Sequence, residues 1–426
     1  MKLRIEKSIY GGAGLARADG KAIFVPFALP GELVEAHITE DRTSYANAEL
    51  DSVLEASPAR VSPPCPYFGE CGGCHYQQAN YAQQIEMKAQ ILRESLERAR
   101  LTEIPAITVV QSEPLGYRNR VRLHVDRASS MLCYRRRGSH ANLSVDTCPI
   151  AAPVLEDALR TVQSNGKQWL GERFDEIEFF TNAEGSSILL TLWSGRGANA
   201  AKEGLQHLWP QLIALIPQVG GAAVLSSERG KQQSGTLAQT GEQVLNYKAA
   251  GHDYRVSLGS FFQVNRFLID ALVEVVVAAQ SGTLAWDLYA GVGLFAHALA
   301  SRFEQVVAVE SAASSVRDLR RNLNGGPHRI VALSTLDYLR GARISRTPRP
   351  DFVIVDPPRA GLGKEVAALL AEIGPEHITY VSCDPATLSR DLKSLLNSGY
   401  HLRNMHMVDL FPQTFHLESV AMLSLS

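Results

Sequence analysis

Between about residue 264 and residue 397 the chain alternates apolar runs of strand length with amphipathic runs of helix length, and this restricts the fold more than any other feature. The spacing predicts helices over 265–280, 294–302, 312–323, 364–373 and 386–397, and strands over 284–289, 305–310, 351–355 and 377–382. Strands separated by helices cannot pair as hairpins. Each crosses over to lie parallel to a neighbour, with helices covering the sheet, so a doubly wound α/β domain is expected over 261–426. Ligands of such sheets bind at the carboxyl ends of the strands.

The rest of the chain follows other patterns. Residues 1–57 carry short β-rich runs, Ala22–Pro26 and Glu32–Ile38 among them, broken by glycines and prolines, which reads as a small β-barrel. The stretch Ser57-Pro-Ala-Arg-Val-Ser-Pro-Pro64 ends it as a linker. Tyr81, Ile85, Ala89, Leu92 and Leu96 recur at helical spacing. Strands at Val121–Val125 and Ser187–Leu192, with a helix near 152–164, make 58–260 a mixed α+β central domain.

Composition excludes more than it identifies. A hydrophobic content of 45% across 426 residues supports packed cores rather than disorder. The start Met-Lys-Leu-Arg-Ile-Glu-Lys lacks a signal-peptide core and no apolar run is long enough to span a bilayer, so a cytoplasmic protein without membrane contact is expected. No obligate protein partner is predicted. A net charge of −2 gives no global attraction to a polyanion; RNA contact would rest on local patches such as Arg118, Arg120 and Arg122, alternating along a strand, or Arg135-Arg-Arg137.

Cys65, Cys71 and Cys74 fall within ten residues, in Cys65-Pro-Tyr-Phe-Gly-Glu-Cys71-Gly-Gly-Cys74. A segment this short and glycine-rich cannot bury three thiols as hydrophobes, and a reducing compartment disfavours disulfides, so metal binding is expected. Cys148, in Asp146-Thr-Cys148-Pro149, is the candidate fourth ligand. Four thiolates suit zinc or an iron–sulfur cluster, and the five-residue first gap departs from paired Cys-x2-Cys ribbons, favouring a [4Fe-4S] cluster.

The remaining chemistry clusters at strand ends. Asp287-Leu-Tyr289-Ala-Gly291-Val-Gly293 joins a strand to a helix through two glycines, and Glu310 ends the next strand, placed to accept ribose hydroxyls. A third glycine is absent, so S-adenosylmethionine fits better than a dinucleotide. Asp356-Pro-Pro-Arg359 is a rigid strand exit whose arginine would contact RNA phosphate or a surface acid. Cys383, in Ser382-Cys383-Asp384-Pro385, lies at the same edge and is a candidate nucleophile. Carbon 5 of uracil is a poor nucleophile until a thiolate adds at carbon 6, and a base must then remove the carbon-5 proton. Glu418 is the candidate base, with His416 behind it.

Together these motifs resemble the RNA uridine-5-methyltransferase family, in its iron–sulfur-containing 23S ribosomal RNA branch. Tyr10-Gly-Gly-Ala-Gly-Leu-Ala-Arg17 and Val25-Pro-Phe-Ala-Leu-Pro-Gly-Glu32 are similar to the family's TRAM barrel, an OB-like RNA-binding module. The resemblance assigns the cluster to Cys65, Cys71, Cys74 and Cys148, cofactor contacts to Gln263, Tyr289, Glu310 and Asp356, and nucleophile and base to Cys383 and Glu418. It implies methylation of a flipped or unpaired uridine, with Phe261 and Phe262 as candidates to stack on a displaced base. The sequence keeps two rivals open: a transfer RNA uridine methyltransferase and a non-catalytic RNA-binding assembly factor.

Overall fold

A computed structural model describes residues 1–101, 103–170, 173–227, 235–345 and 347–425. The first six strands, β1 (Lys2–Arg4), β2 (Lys7–Ser8), β3 (Ala13–Ala18), β4 (Lys21–Pro26), β5 (Leu33–Asp41) and β6 (Tyr45–Glu55), form one curled sheet in the order β1-β5-β6-β4-β3-β2. Alternate residues such as Ile23, Val25, Val34 and Ala36 turn inward to a small core with Leu3 and Ile5. The linker is tied to this barrel by charge. Glu32, fully buried, accepts from Arg60 Nε at 2.6 Å and Nη2 at 2.7 Å, and from the amides of Leu29 and Ser57. Burial alone would raise the Glu32 pKa, but these donors outweigh it and hold the carboxyl below its ordinary range.

Helix α1 (Tyr81–Arg98), capped by Asn80 accepting from the Gln83 amide at 2.9 Å, leads to β7 (Ile107–Val110). The central sheet uses β8 (Arg120–Val125), β9 (Leu132–Arg135), β10 (Asn142–Ser144), β11 (Glu176–Thr181), β12 (Ile188–Ser194), β13 (Val219–Ser226) and β14 (Thr236–Gly241) in the order β10-β9-β8-β11-β12-β13-β14. Helices α2 (Pro153–Trp169) and α3 (Ala198–Leu215) share its apolar core. A hairpin, β15 (Val244–Ala249) and β16 (His252–Ser257), turns through Ala250-Gly251, both at positive φ.

The third sheet holds β17 (Gly282–Leu288), β18 (Phe303–Val309), β19 (Arg329–Val331), β20 (Phe352–Val355), β21 (His377–Ser382), β22 (Tyr400–Val408) and β23 (Glu418–Leu425). With them run α4 (Ile269–Val277), α5 (Leu294–Ala300), α6 (Ala313–Asn322), α7 (Thr335–Ser345), α8 (Gly363–Ile373) and α9 (Pro385–Leu396). The order is β19-β18-β17-β20-β21-β23-β22-β7. The first five strands are parallel; β23 returns antiparallel to β21, and β22 antiparallel to β23. Ala285, Val306 and Ile354 feed one core while Trp286, Val307 and Val353 feed the other, as a sheet covered on both faces requires.

Three features depart from the sequence reading. The helix expected from 265 starts at Ile269, because the Asn265 side chain is engaged by Ser112, the Leu410 carbonyl and the Phe267 amide. Strand β19 and helix α7 were not anticipated. Strand β7, from within 58–260, pairs parallel with β22, and α1 packs in the same core, so that stretch contributes to three sheets: β7 to the third, β8–β14 to the central one and β15–β16 to their own hairpin. A buried ion pair fixes the attachment: Lys88 Nζ lies 2.6 Å from Asp409 Oδ1, both side chains fully buried, and also donates to the Phe411 carbonyl. Among the described residues, no helix is long and apolar enough to cross a membrane.

Replacing Arg60 with alanine strands a buried carboxylate and is expected to lower the unfolding free energy by about 3 kcal/mol, read from the urea midpoint at neutral pH. Because the folded carboxyl is the stronger acid, its contribution is present above the unfolded pKa and fades as pH falls through the folded one. An unchanged midpoint would contradict the tie.

Candidate active site

The carboxyl edge of the third sheet gathers the polar residues singled out in its sequence. Strand β17 ends in a loop where Tyr289 has φ 69° and Gly291 and Gly293 have φ 56° and 93°. Positive φ at tyrosine is strained, and here it sits where a ligand would meet the backbone. A side chain at position 293 would also strike Leu319, its Cβ lying 2.7 Å from that side chain. Glu310, just beyond β18, holds the loop by accepting from the Gly291 amide at 2.9 Å and the Ala312 amide at 2.6 Å. Each oxygen retains a lone pair for a ribose hydroxyl. Gln263 is buried, its carbonyl oxygen accepting from Asn119.

The start of α7 also reaches this rim. Thr335 hydrogen-bonds the Tyr289 hydroxyl, and Ser334 accepts from the Asp337 amide while donating to its carboxylate. The Ser334-x-x-Asp337 spacing was the signal available in the sequence, as a helix-capping pattern.

Register brings Cys383 and Glu418 to the same place. Ser382, the last residue of β21, pairs with Ser419 of β23, so Cys383 and Glu418 each lie one residue beyond that pair, and the Glu418 charge acts on the thiol. Asp384 then caps α9, accepting from the amides of Ala386 and Thr387 at 3.0 and 2.9 Å, which accounts for an acid beside the thiol. Asp356 follows β20, next door to β21.

These neighbours set the protonation states. Burial first, then the charges of Glu418 and Asp356, push the Cys383 thiol up to about 11, against the opposing influence of Arg359. Burial lifts Asp356 to about 7, and burial with Asp356 beside it lifts Glu418 well above the carboxylate range. His416 is driven down to about 4 by burial, then by Arg359, Arg118, His75 and Lys88. Arg359 is exposed, 3.4 Å from His416 Nδ1.

Several residues lie elsewhere than expected. Arg118, Arg120 and Arg122 do not form one solvated face. Arg118 lines the cysteine cavity; Arg120 packs 4.0 Å from the Phe180 ring centroid and donates to the Ser260 carbonyl; Arg122 stacks on Trp193 and pairs with Glu176. Phe262 is core, whereas Phe261 is 63% exposed. The barrel reaches the edge through Tyr10, whose hydroxyl is 3.5 Å from the Cys383 carbonyl and the Asp384 carboxylate.

Cys65, Cys71, Cys74 and Cys148 line one cavity of about 190 Å³, together with Tyr134, Gln77 and Arg118. All four thiols are free, and burial raises the pKa of each, Cys74 to about 12. Among the described residues, no three His, Cys, Asp or Glu side chains converge closely enough to hold a single metal ion.

A glycine turn after one parallel strand, an acid after the next and a thiol further along the same edge give the arrangement of a methyltransferase with a thiol near its cofactor loop. The model of the tRNA (uracil-5-)-methyltransferase family matches residues 80–425 and that of the TRAM domain residues 2–50. The chain belongs to the tRNA (uracil-5-)-methyltransferase family. It is 31% identical to the 23S rRNA (uracil(1939)-C(5))-methyltransferase of Shewanella amazonensis over 99% of this chain and 95% of that one. The enzyme of the same description from Vibrio parahaemolyticus is 32% identical over 100% and 96%. The fold matches the Pyrococcus abyssi tRNA (uracil-54, C5)-methyltransferase, solved with S-adenosyl-L-homocysteine, at TM-score 0.76 and 24% identity, covering 99% of this chain and 100% of that one.

The electrostatics of Cys383 can be measured directly. Alkylation of its peptide, followed by mass spectrometry, is expected to accelerate with pH toward an apparent pKa of about 11. Glu418→Gln should shift that profile to lower pH and Arg359→Ala to higher pH; shifts of the opposite sign would contradict the arrangement.

Proposed function

We propose that the protein methylates carbon 5 of a specific uridine in 23S ribosomal RNA, through a transient bond between Cys383 and carbon 6 of the base. The observation carrying this reading is the placement of Cys383 and Glu418 one residue beyond the Ser382–Ser419 pair, at the sheet edge that also carries the glycine loop. S-adenosylmethionine supplies the methyl group as an electrophilic sulfonium. Gln263, Tyr289, Glu310 and Asp356 are the residues that would hold it. Glu310 already positions the loop backbone through Gly291.

The chemistry assigned to the chain's own residues follows from their charges. Cys383 rests as a thiol, so its proton must pass to solvent before attack; Arg359 favours the thiolate while Glu418 and Asp356 oppose it. The thiolate sulfur bonds to carbon 6, and the ring's double-bond electrons move toward carbon 5 and oxygen 4. Carbon 5 takes the methyl group as the bond from methyl carbon to sulfur breaks, its electron pair staying on that sulfur. Glu418, ionised at this stage, accepts the carbon-5 proton; the ring double bond re-forms and Cys383 departs as thiolate. Because burial and the Asp356 charge lift the Glu418 carboxyl above its ordinary range, its ionised fraction grows as pH rises, and turnover should rise with it.

Relatives that are 31–32% identical along nearly the whole chain favour 23S ribosomal RNA over transfer RNA, for which the support is the description of the family model and a likeness of fold. The TRAM barrel, through Tyr10 at the catalytic edge, and exposed Phe261 beside Gln263 are the RNA-facing features. Stacking on Phe261 would hold a base displaced with the target.

The four cysteines fit a [4Fe-4S] cluster. Their donor set is all sulfur, and they surround a cavity rather than closing on one point at the roughly 2.3 Å bond length of a zinc site. When bound, the cluster would supply a covalent tie between the 65–74 loop and the segment around Cys148. No step of the methyl transfer needs an electron from it.

Two outcomes test the reading. Cys383→Ala is expected to lose 5-methyluridine formation by at least about a thousandfold while still binding RNA, whereas Glu418→Gln should accumulate a covalent protein–RNA species. Turnover by the alanine variant would refute the nucleophile, whereas RNA binding without any 5-methyluridine formation by the unaltered chain would leave the assembly-factor reading. Separately, anaerobically isolated protein should carry about four irons and four sulfides per chain, with Cys148→Ser losing both; stoichiometric zinc would replace the cluster.

A further inference from the structure

Asp287 lies on β17 two residues before Tyr289, fully buried; among the described residues the Ala296 amide is the one donor near its carboxyl, and neither oxygen takes part in a well-formed hydrogen bond. A buried polar group left unpaired is destabilising, and a charged one far more so. The groups facing it make ionisation harder. Asp356 approaches from the end of β20 and Glu310 from the end of β18. Tyr254 of β16, whose hydroxyl donates to the Leu294 carbonyl, covers it from the hairpin; the Ala296 amide of α5 offsets part of the burden. Asp356 in turn acts on Glu418 and Cys383, while Arg359 stands exposed on the far side of Cys383. Carboxyl groups thus gather where β17, β18 and β20 end, and among the described residues no cation forms an ion pair with Asp287 or Asp356.

We propose that Asp287, with Asp356, is a proton-linked counter-charge for the cofactor's sulfonium, making cofactor exchange depend on protonation. Binding of S-adenosylmethionine expels one carboxyl proton to solvent and leaves a carboxylate near the sulfonium. Methyl transfer converts that sulfur to a neutral thioether. The carboxylate, now without a cation, takes a proton back from solvent, and the spent cofactor is held less tightly. Burial places Asp287 at about 8 and Asp356 at about 7, so both exchange protons in the neutral range. The inference rests on the reading of this edge as the cofactor site.

Isothermal titration of the full-length protein with S-adenosylmethionine and with S-adenosylhomocysteine, each in two buffers of different ionisation enthalpy, counts the protons released. More protons are expected with the sulfonium. Its preference over the thioether should rise with pH, by as much as about tenfold per unit while one carboxyl titrates. Asp287→Asn should flatten that dependence while retaining thioether binding; wild-type proton counts decide the matter if the variant does not fold. Equal proton counts and a pH-independent preference, with both ligands bound, would overturn the proposal and leave the cofactor site standing. Failure to bind either ligand would overturn both.

Discussion

The pairing of Ser382 with Ser419 is the constraint on which the proposed chemistry depends. Side chains alternate along a strand, so a one-residue slip of β23 would turn Glu418 away from Cys383. The segment before β23 is accordingly fastened from several sides. Lys88 pairs with Asp409, Gln84 exchanges hydrogen bonds with Gln413, Tyr117 donates to the Pro412 carbonyl, and the amides of His75 and Tyr76 both reach the Gln413 carbonyl. Two of those anchors directly follow Cys74. The cysteine loop and the edge carrying Glu418 are therefore mechanically joined, although the proposed reaction passes no electron between them.

Electrostatics at this edge oppose the ionised state of Cys383, Glu418 and Asp287. Burial and mutual repulsion keep Cys383 as a thiol at neutral pH, raise Asp287 to about 8 and lift Glu418 well above the ordinary carboxylate range. A site built this way stays unreactive until substrates arrive, because ionisation becomes favourable only beside a cation or a proton acceptor. Asp384 shows the same edge resolving charge locally, its carboxylate satisfied by amides at the start of α9.

Much of this was legible in the sequence. Alternating helices and strands gave the parallel sheet, and strand ends in such a sheet share one edge, which is why Tyr289, Glu310, Asp356 and Cys383 could be grouped without coordinates. The antiparallel closure was harder to see. Tyr400–Val408 mixes exposed His401 and Arg403 with buried Met405 and Met407, and β7 joins it from almost three hundred residues away. Alternation at Arg118, Arg120 and Arg122 suggested a solvated face, but a strand's polar face can turn inward when a cavity, an aromatic ring or a paired acid receives it. The burial of Asp287 without a well-formed hydrogen bond left no mark, since an acid within an apolar strand reads equally well as a strand edge.

The central claim is that Cys383 bonds to the uracil ring, and RNA bearing 5-fluorouridine at the target position tests it most directly. Fluorine cannot be removed as a proton, so the reaction should halt after methyl transfer. The account expects a methylated protein–RNA species that survives denaturation, with the bond located on the Cys383 peptide. A cross-link at another residue, or normal methylation of unmodified RNA with no trapped species from the fluorinated one, would contradict it.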